Sequence, residues 1–195
     1  MYKNFFKRLF DILFSLILLP FFFVLLLFLI PVIFLSDKGS VFYSASRLGK
    51  HGKEFKMYKF RTMKMNSPDL RNEDGSTFNS EKDYRLTKIG GLLRKTSIDE
   101  IPQIINILKG DMSLIGPRPD LSSQKEFYDI SNEIKFSVRP GLTGYAQVKG
   151  RNTISWKEKI QLDRYYVENV SLLLDVKIFL LTIVKIFKAE GVNKK

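Results

Sequence analysis

Asp99 and Glu100 stand side by side in Thr96-Ser97-Ile98-Asp99-Glu100-Ile101-Pro102-Gln103, and this pair is where the sequence concentrates groups able to do chemistry. Ile104, Ile105, Ile107 and Leu108 follow at helical spacing, and Lys109-Gly110 supplies a cationic last turn and a stop. Pro102 suits the first turn of that helix, so the two carboxylates are expected at its positive end, which also attracts phosphate. Ser97-x-x-Glu100 fits a second reading, a capping box in which Glu100 only closes a helix start. The chain has no cysteine and a single histidine, His51. Thiolate chemistry, a cysteine zinc site and a histidine metal cluster are thereby excluded, and any metal must be held by oxygen.

Cations surround the pair in sequence. Arg94 and Lys95 precede it, and Gly116-Pro117-Arg118-Pro119 holds Arg118 between two backbone-stiffening prolines, a support that suits paired hydrogen bonds to a diphosphate. Arg139-Pro140-Gly141-Leu142-Thr143-Gly144 and Gly150-Arg151-Asn152 are turn-dense segments that set glycine beside arginine, and they read as candidate anion loops. Lys59 and Arg61 end one face of a strand-like segment, either as a solvated edge or as phosphate contacts. The net charge of +12 implies an anionic partner, and nucleic acid, anionic lipid and phosphorylated small molecules all satisfy it.

The elements that must position these residues follow from the pattern. Val41-Phe42-Tyr43 and Glu54 to Thr62 predict a β-hairpin turning at Gly49-Lys50-His51-Gly52, with His51 a solvated turn residue. Asn66 to Asp83 reads as a long polar loop, and Leu86, Ile89, Leu92 and Leu93 predict a helix that delivers Arg94. Gly90-Gly91 weakens that helix but permits a close approach. Ser155-Trp156-Lys157-Glu158 has capping-box spacing and opens a helix through Tyr165 and Tyr166, and a second helix runs from about Leu172 to Lys188. The latter reads as a basic amphipathic helix in the headgroup region or as a core helix.

Ahead of all this lies the apolar run Ile12 to Leu35. It would extend about 36 Å as a helix against a hydrocarbon core of roughly 30 Å, and it is too long for a signal peptide. Lys3, Lys7 and Arg8 precede it while Lys38, Arg47, Lys50 and Lys53 follow, so the positive-inside preference draws both ends to one side. A hairpin that enters and leaves through one face satisfies both ends, with Pro20 or Pro31 as the bend. The expected fold is α+β and mostly helical, with residues 1–38 as a re-entrant membrane hairpin and residues 39–195 as a catalytic domain with a C-terminal amphipathic helix.

Taken in order, Lys7-Arg8-Leu9-Phe10-Asp11, Tyr58-Lys59-Phe60-Arg61-Thr62-Met63, the Asp99-Glu100 stretch, Lys109-Gly110-Asp111-Met112-Ser113, Gly116-Pro117-Arg118-Pro119, Arg139 to Gly144 and Gly150-Arg151-Asn152 resemble the small monotopic phosphoglycosyl transferases of the bacterial sugar transferase family. The resemblance implies transfer of a sugar 1-phosphate from a UDP-sugar to a membrane polyprenol phosphate, with release of UMP and dependence on Mg²⁺, at the cytoplasmic face of the bacterial inner membrane. It makes Asp99 the nucleophile and Glu100 a metal partner or proton acceptor, with the metal at this pair. Arg94, Arg118, Arg151, Lys59 and Arg61 become phosphate or nucleotide contacts. One departure is visible: the family's re-entrant helix commonly carries a Ser-Pro pair near its middle, whereas Val24 to Leu27 contains neither residue. The rival class is a membrane-tethered basic protein that binds nucleic acid or anionic lipid without turnover. An acidic pair set among arginines counts against it, because carboxylates oppose a phosphate backbone. No nucleic-acid partner is therefore expected.

Overall fold

The computed structural model describes residues 2–72, 78, 80, 83–128, 130–150 and 154–188. After a π-helical turn at Tyr2–Phe6, helix α1 (Lys7–Asp37) runs without interruption through Pro20 and Pro31. The turn expected near those prolines is thus not a break in the helix. A proline removes one donor and crowds the preceding turn, which bends a helix in an apolar run without ending it. Phe21, Leu27 and Phe28 point outward, and the helix is long and apolar enough to cross a membrane.

Polar contacts tie both ends of α1 to the rest of the chain. At its start, Lys7 pairs with Asp175 at 2.6 Å, and Arg8 donates to the carbonyls of Ile107 and Leu108. Asp11, one turn on, accepts from Ser113 Oγ at 3.0 Å and from the Leu114 amide at 2.8 Å. At its far end Asp37 accepts from Arg61 at 2.6 Å and from the Met65 amide at 3.0 Å. Between them, Phe22 and Ile33 pack with Phe60 and Leu93.

Strands β1 (Phe42–Leu48) and β2 (Glu54–Phe60) form the expected antiparallel hairpin, in register from Phe42 opposite Phe60 to Leu48 opposite Glu54. Helix α2 (Lys88–Thr96) starts at a Thr87 cap whose hydroxyl accepts from the Gly90 amide. Helix α3 (Gln103–Lys109) stops at Gly110, which takes the left-handed conformation at φ 92°. The Arg139–Gly144 stretch, read as a turn-dense loop, contains a short strand instead. β3 (Ser113–Ile115) and β4 (Gly141–Thr143) pair in parallel, and helix α4 (Tyr145–Lys149) follows. Three-residue strands carry too little pattern to register as a period. Helices α5 (Trp156–Glu168) and α6 (Leu172–Lys188) begin where the sequence places them, and the Ser155–Glu158 capping box is formed.

The main core joins Ile115, Val138, Val148, Tyr166, Val167 and Ile178. One flank of α6 is therefore buried through Ile178, while Leu172, Leu173, Val176, Leu180 and Val184 stay exposed. The core reading thus holds for one flank, and the opposite flank is apolar and exposed. Tyr166 is fully buried in that core, whereas Tyr165 is exposed and Trp156 packs edge-on against Tyr128.

Candidate active site

Ser97 ends α2 in the left-handed conformation at φ 60°, and the reversal leads into a single 3-10 turn, Ile98–Glu100, directly before α3. No capping box forms there. The Glu100 amide bonds to the Ser97 carbonyl at 3.2 Å, and the Glu100 carboxylate turns the other way. Its Oε1 accepts from Lys59 Nζ at 2.7 Å and from Arg118 Nη2 at 3.0 Å. Asp99 beside it is buried, at 6 % exposure, and none of the described residues donates a hydrogen bond to its carboxylate.

Each cation is brought in by a separate element. Lys59 sits near the end of β2, and α3 is fixed to that strand by Asn106. Fully buried Asn106 accepts from the Tyr58 amide at 3.0 Å and donates to the Lys56 carbonyl at 2.8 Å. This clamp sets the distance between Lys59 and Glu100, and sequence reading missed it because only the polar break in an apolar helix signals it. Gly90 lets α2 lie against the end of β2, since a Cβ there would come within 1.9 Å of the Thr62 carbonyl oxygen. Arg94, one turn further along α2, then donates to Thr62 Oγ1 at 2.9 Å.

Arg118 projects, half-exposed, from its proline-bounded loop. Pro117 is fully buried and its carbonyl accepts from the Gly141 amide at 2.8 Å, while the Asp120 carbonyl accepts from the Leu48 amide at 2.9 Å. Buried Lys135 holds the Asp120 side chain at 2.5 Å and Asp163 at 3.1 Å, with Tyr128 donating to Asp120 as well. This network, also absent from the sequence reading, anchors the far side of the Arg118 loop.

The two carboxylates differ in their electrostatics. Burial is the leading influence on Asp99 and pushes it up to about 6, Lys59 opposing and Glu100 reinforcing the rise. Burial would raise Glu100 too, but Lys59 and Arg118 outweigh it and hold that carboxyl below the usual carboxylate range. At neutral pH both are ionised, with Glu100 locked by cations and Asp99 free of donors among the described residues.

Arg61, expected as a phosphate contact, is not brought to this cluster. Its guanidinium is buried and engaged by Asp37 and by the carbonyls of Ser40 and Met63, so it fastens the end of α1. Arg151 lies outside the described residues. No group of three or more His, Asp or Glu able to hold a metal occurs among the described residues. Magnesium, however, often uses one or two carboxylates with substrate phosphates and water. Asp99 and the second oxygen of Glu100 fit that sparse kind of site.

A family model described as bacterial sugar transferase matches residues 2–189. The chain is 46 % identical over 188 residues to an uncharacterised sugar transferase, EpsL, of Bacillus subtilis, covering 96 % of this chain and 90 % of the relative. It is 39 % identical to the exopolysaccharide production protein ExoY of Sinorhizobium fredii, covering 95 % and 87 %. It is also 38 % identical to the undecaprenyl-phosphate galactose phosphotransferase of Salmonella typhimurium, covering 97 % of this chain and 42 % of that longer protein. With the profile matched along nearly its whole length and the Asp99–Glu100 pair set among Lys59, Arg94 and Arg118, the chain belongs to the bacterial sugar transferase family.

Proposed function

We propose that this phosphoglycosyl transferase moves a sugar 1-phosphate from a UDP-sugar to undecaprenyl phosphate through a covalent intermediate on Asp99, releasing UMP. This is the first membrane step in assembling a bacterial polysaccharide. The observation that carries the reading is the asymmetry of the pair: Glu100 is pinned by Lys59 and Arg118, while Asp99 is buried and receives no hydrogen bond from the described residues. A carboxylate freed of donors keeps its lone pairs for attack.

In the first half-reaction an Asp99 oxygen attacks the sugar-bearing phosphorus. The bond from that phosphorus to the bridging oxygen breaks, and UMP departs with the electron pair. In the second, a phosphate oxygen of the lipid attacks the same phosphorus and displaces the Asp99 carboxylate. Lys59, Arg94 and Arg118 offset the charge repulsion between a carboxylate and a diphosphate. Glu100 holds two of those cations in place. Magnesium, when bound at Asp99 and Glu100, would neutralise further charge on the nonbridging oxygens.

One catalytic domain grips both ends of α1, through Asp175, Ile107 and Leu114 at the start and Arg61 at the finish. That supports a helix that enters and leaves by one leaflet, placing the site at the cytoplasmic surface, where a soluble donor and a lipid acceptor can each arrive. The exposed apolar flank of α6 would lie at the same surface. The test is UMP release with donor alone: one equivalent per enzyme supports the reading, and release only when the lipid phosphate is present opposes it. Repeating the assay over a panel of UDP-sugars identifies the donor.

A further inference from the structure

The Arg47 side chain has no hydrogen bond or ion pair among the described residues, and its Nε is buried without a partner. That Nε is cut off from water and none of the described residues accepts from it, so an anion's oxygen would supply the missing partner of this half-buried side chain. Asp120, a carboxylate whose charge acts on Arg47, is already engaged by Lys135 and Tyr128. Burial, and after it the charge of Arg118, pull the Arg47 guanidinium down to about 10.

Its position is set by the backbone. In the hairpin, Tyr43 lies opposite Lys59, Ala45 opposite Met57 and Arg47 opposite Phe55. Directly opposed residues share a face, so Arg47 and Lys59 occupy one face, about 13 Å apart along the strands. A bridge between Arg47 and Leu121, with the bond from the Leu48 amide to the Asp120 carbonyl, lays the Arg118 loop along β1. Arg118 then reaches Glu100 on the same oxygen as Lys59. Arg118 thus bonds Glu100 beside Lys59 and also acts on Arg47 by its charge, which links Arg47 to the carboxylate pair.

We propose that Arg47, with Arg118, holds the second phosphoryl group of the donor, the one that leaves as nucleoside monophosphate. The proposal rests on the reading of Asp99 as nucleophile. When the phosphorus–oxygen bond breaks, the electron pair stays on the former bridging oxygen, and the departing phosphate gains one negative charge. A guanidinium placed there binds more tightly as the bond breaks than before it. Arg118 neutralises the near side of the diphosphate and Arg47 the far side.

The test uses full-length protein in lipid nanodiscs, with Arg47→Gln and Arg47→Lys, and three measurements: kcat/KM for the UDP-sugar, kcat/KM for the lipid phosphate, and equilibrium binding of UMP. In a two-stage reaction each kcat/KM reports its own half-reaction. We expect Arg47→Gln to lower the donor value and weaken UMP binding by roughly 10- to 100-fold, with Arg47→Lys intermediate and the acceptor value unchanged. Loss confined to the acceptor value would assign Arg47 to the lipid phosphate and overturn the proposal. Equal loss in both values with a lowered melting temperature, or unchanged UMP binding in a folded variant, would overturn it too. If Arg47→Gln does not fold, Arg47→Lys decides through the same ratio. UMP binding requires no turnover, so it tests the Arg47 contact even if the nucleophile is not Asp99. Failure of that assignment shows separately, as absence of UMP release from wild-type enzyme and donor alone.

Discussion

Replacing Gly90 with alanine should damage the enzyme, while the same change at Gly91 should not. A Cβ on Gly90 would lie 1.9 Å from the Thr62 carbonyl oxygen, and real contacts of this kind do not fall below 3.0 Å. The obstacle is backbone, so α2 must move away from the end of β2 by about 1.1 Å. The displaced helix carries Arg94 and runs through the Ser97 reversal into Asp99, so the shift reaches the reacting group. Misplacement of about 1 Å can cost on the order of 10² in rate, and overpacking adds about 1–3 kcal/mol of destabilisation. At roughly 2–4 °C per kcal/mol for a chain of this size, the melting temperature should fall measurably. Gly91 has nothing within 4 Å of its Cβ position. Gly91→Ala should therefore keep kcat and gain about 0.4–1 kcal/mol from the helix interior. The assay is UMP release beside thermal unfolding in the same nanodiscs. Equal behaviour of the two variants would refute the close-approach reasoning.

Further outcomes follow from the site and the helix ends. Arg118→Lys keeps the charge but loses the planar fork, so kcat/KM for the donor should fall by about 1–3 kcal/mol, and wild-type activity would return Arg118 to an ordinary surface residue. Because Asp99 must be ionised to attack, the rate should drop as pH falls through about 6. Lys59 lowers the Asp99 value, so Lys59→Met should move that acid limb to higher pH, and an unmoved limb would remove Asp99 from the titration. The chain has no cysteine, so single cysteines at Lys3 and Ser44 can report topology. Both should resist an impermeant thiol reagent in intact cells and react once the membrane is opened; labelling of position 3 from outside would show a spanning helix.

Local signals in the sequence read well, and tertiary ones did not. The Ser155 capping box and the apolar period of α6 are complete within a few residues, and both helices start where predicted. Ser97-x-x-Glu100 carries the same local pattern, yet Lys59 and Arg118, distant in sequence, claim the Glu100 carboxylate. Proline, glycine and charge marked Arg94, Arg118 and Lys59 locally, and the fold brings all three toward the carboxylate pair. Arg61 misled, since a cation beside Lys59 looked equivalent until the end of α1 supplied Asp37 as its partner. Asn106 and Lys135 act through partners that only the folded chain brings near, so nothing in their flanking residues announces a role.

The central claim is that the Asp99 carboxylate bonds to the sugar phosphate. Wild-type enzyme incubated with its UDP-sugar and no lipid phosphate should gain the mass of one sugar phosphate, and the added mass should map to the peptide that contains Asp99. Asp99→Asn should show neither the adduct nor UMP release, and adding lipid phosphate to the wild-type adduct should discharge it. Turnover by Asp99→Asn near the wild-type rate, or an adduct on another residue that forms and discharges at the rate of turnover, would contradict the account.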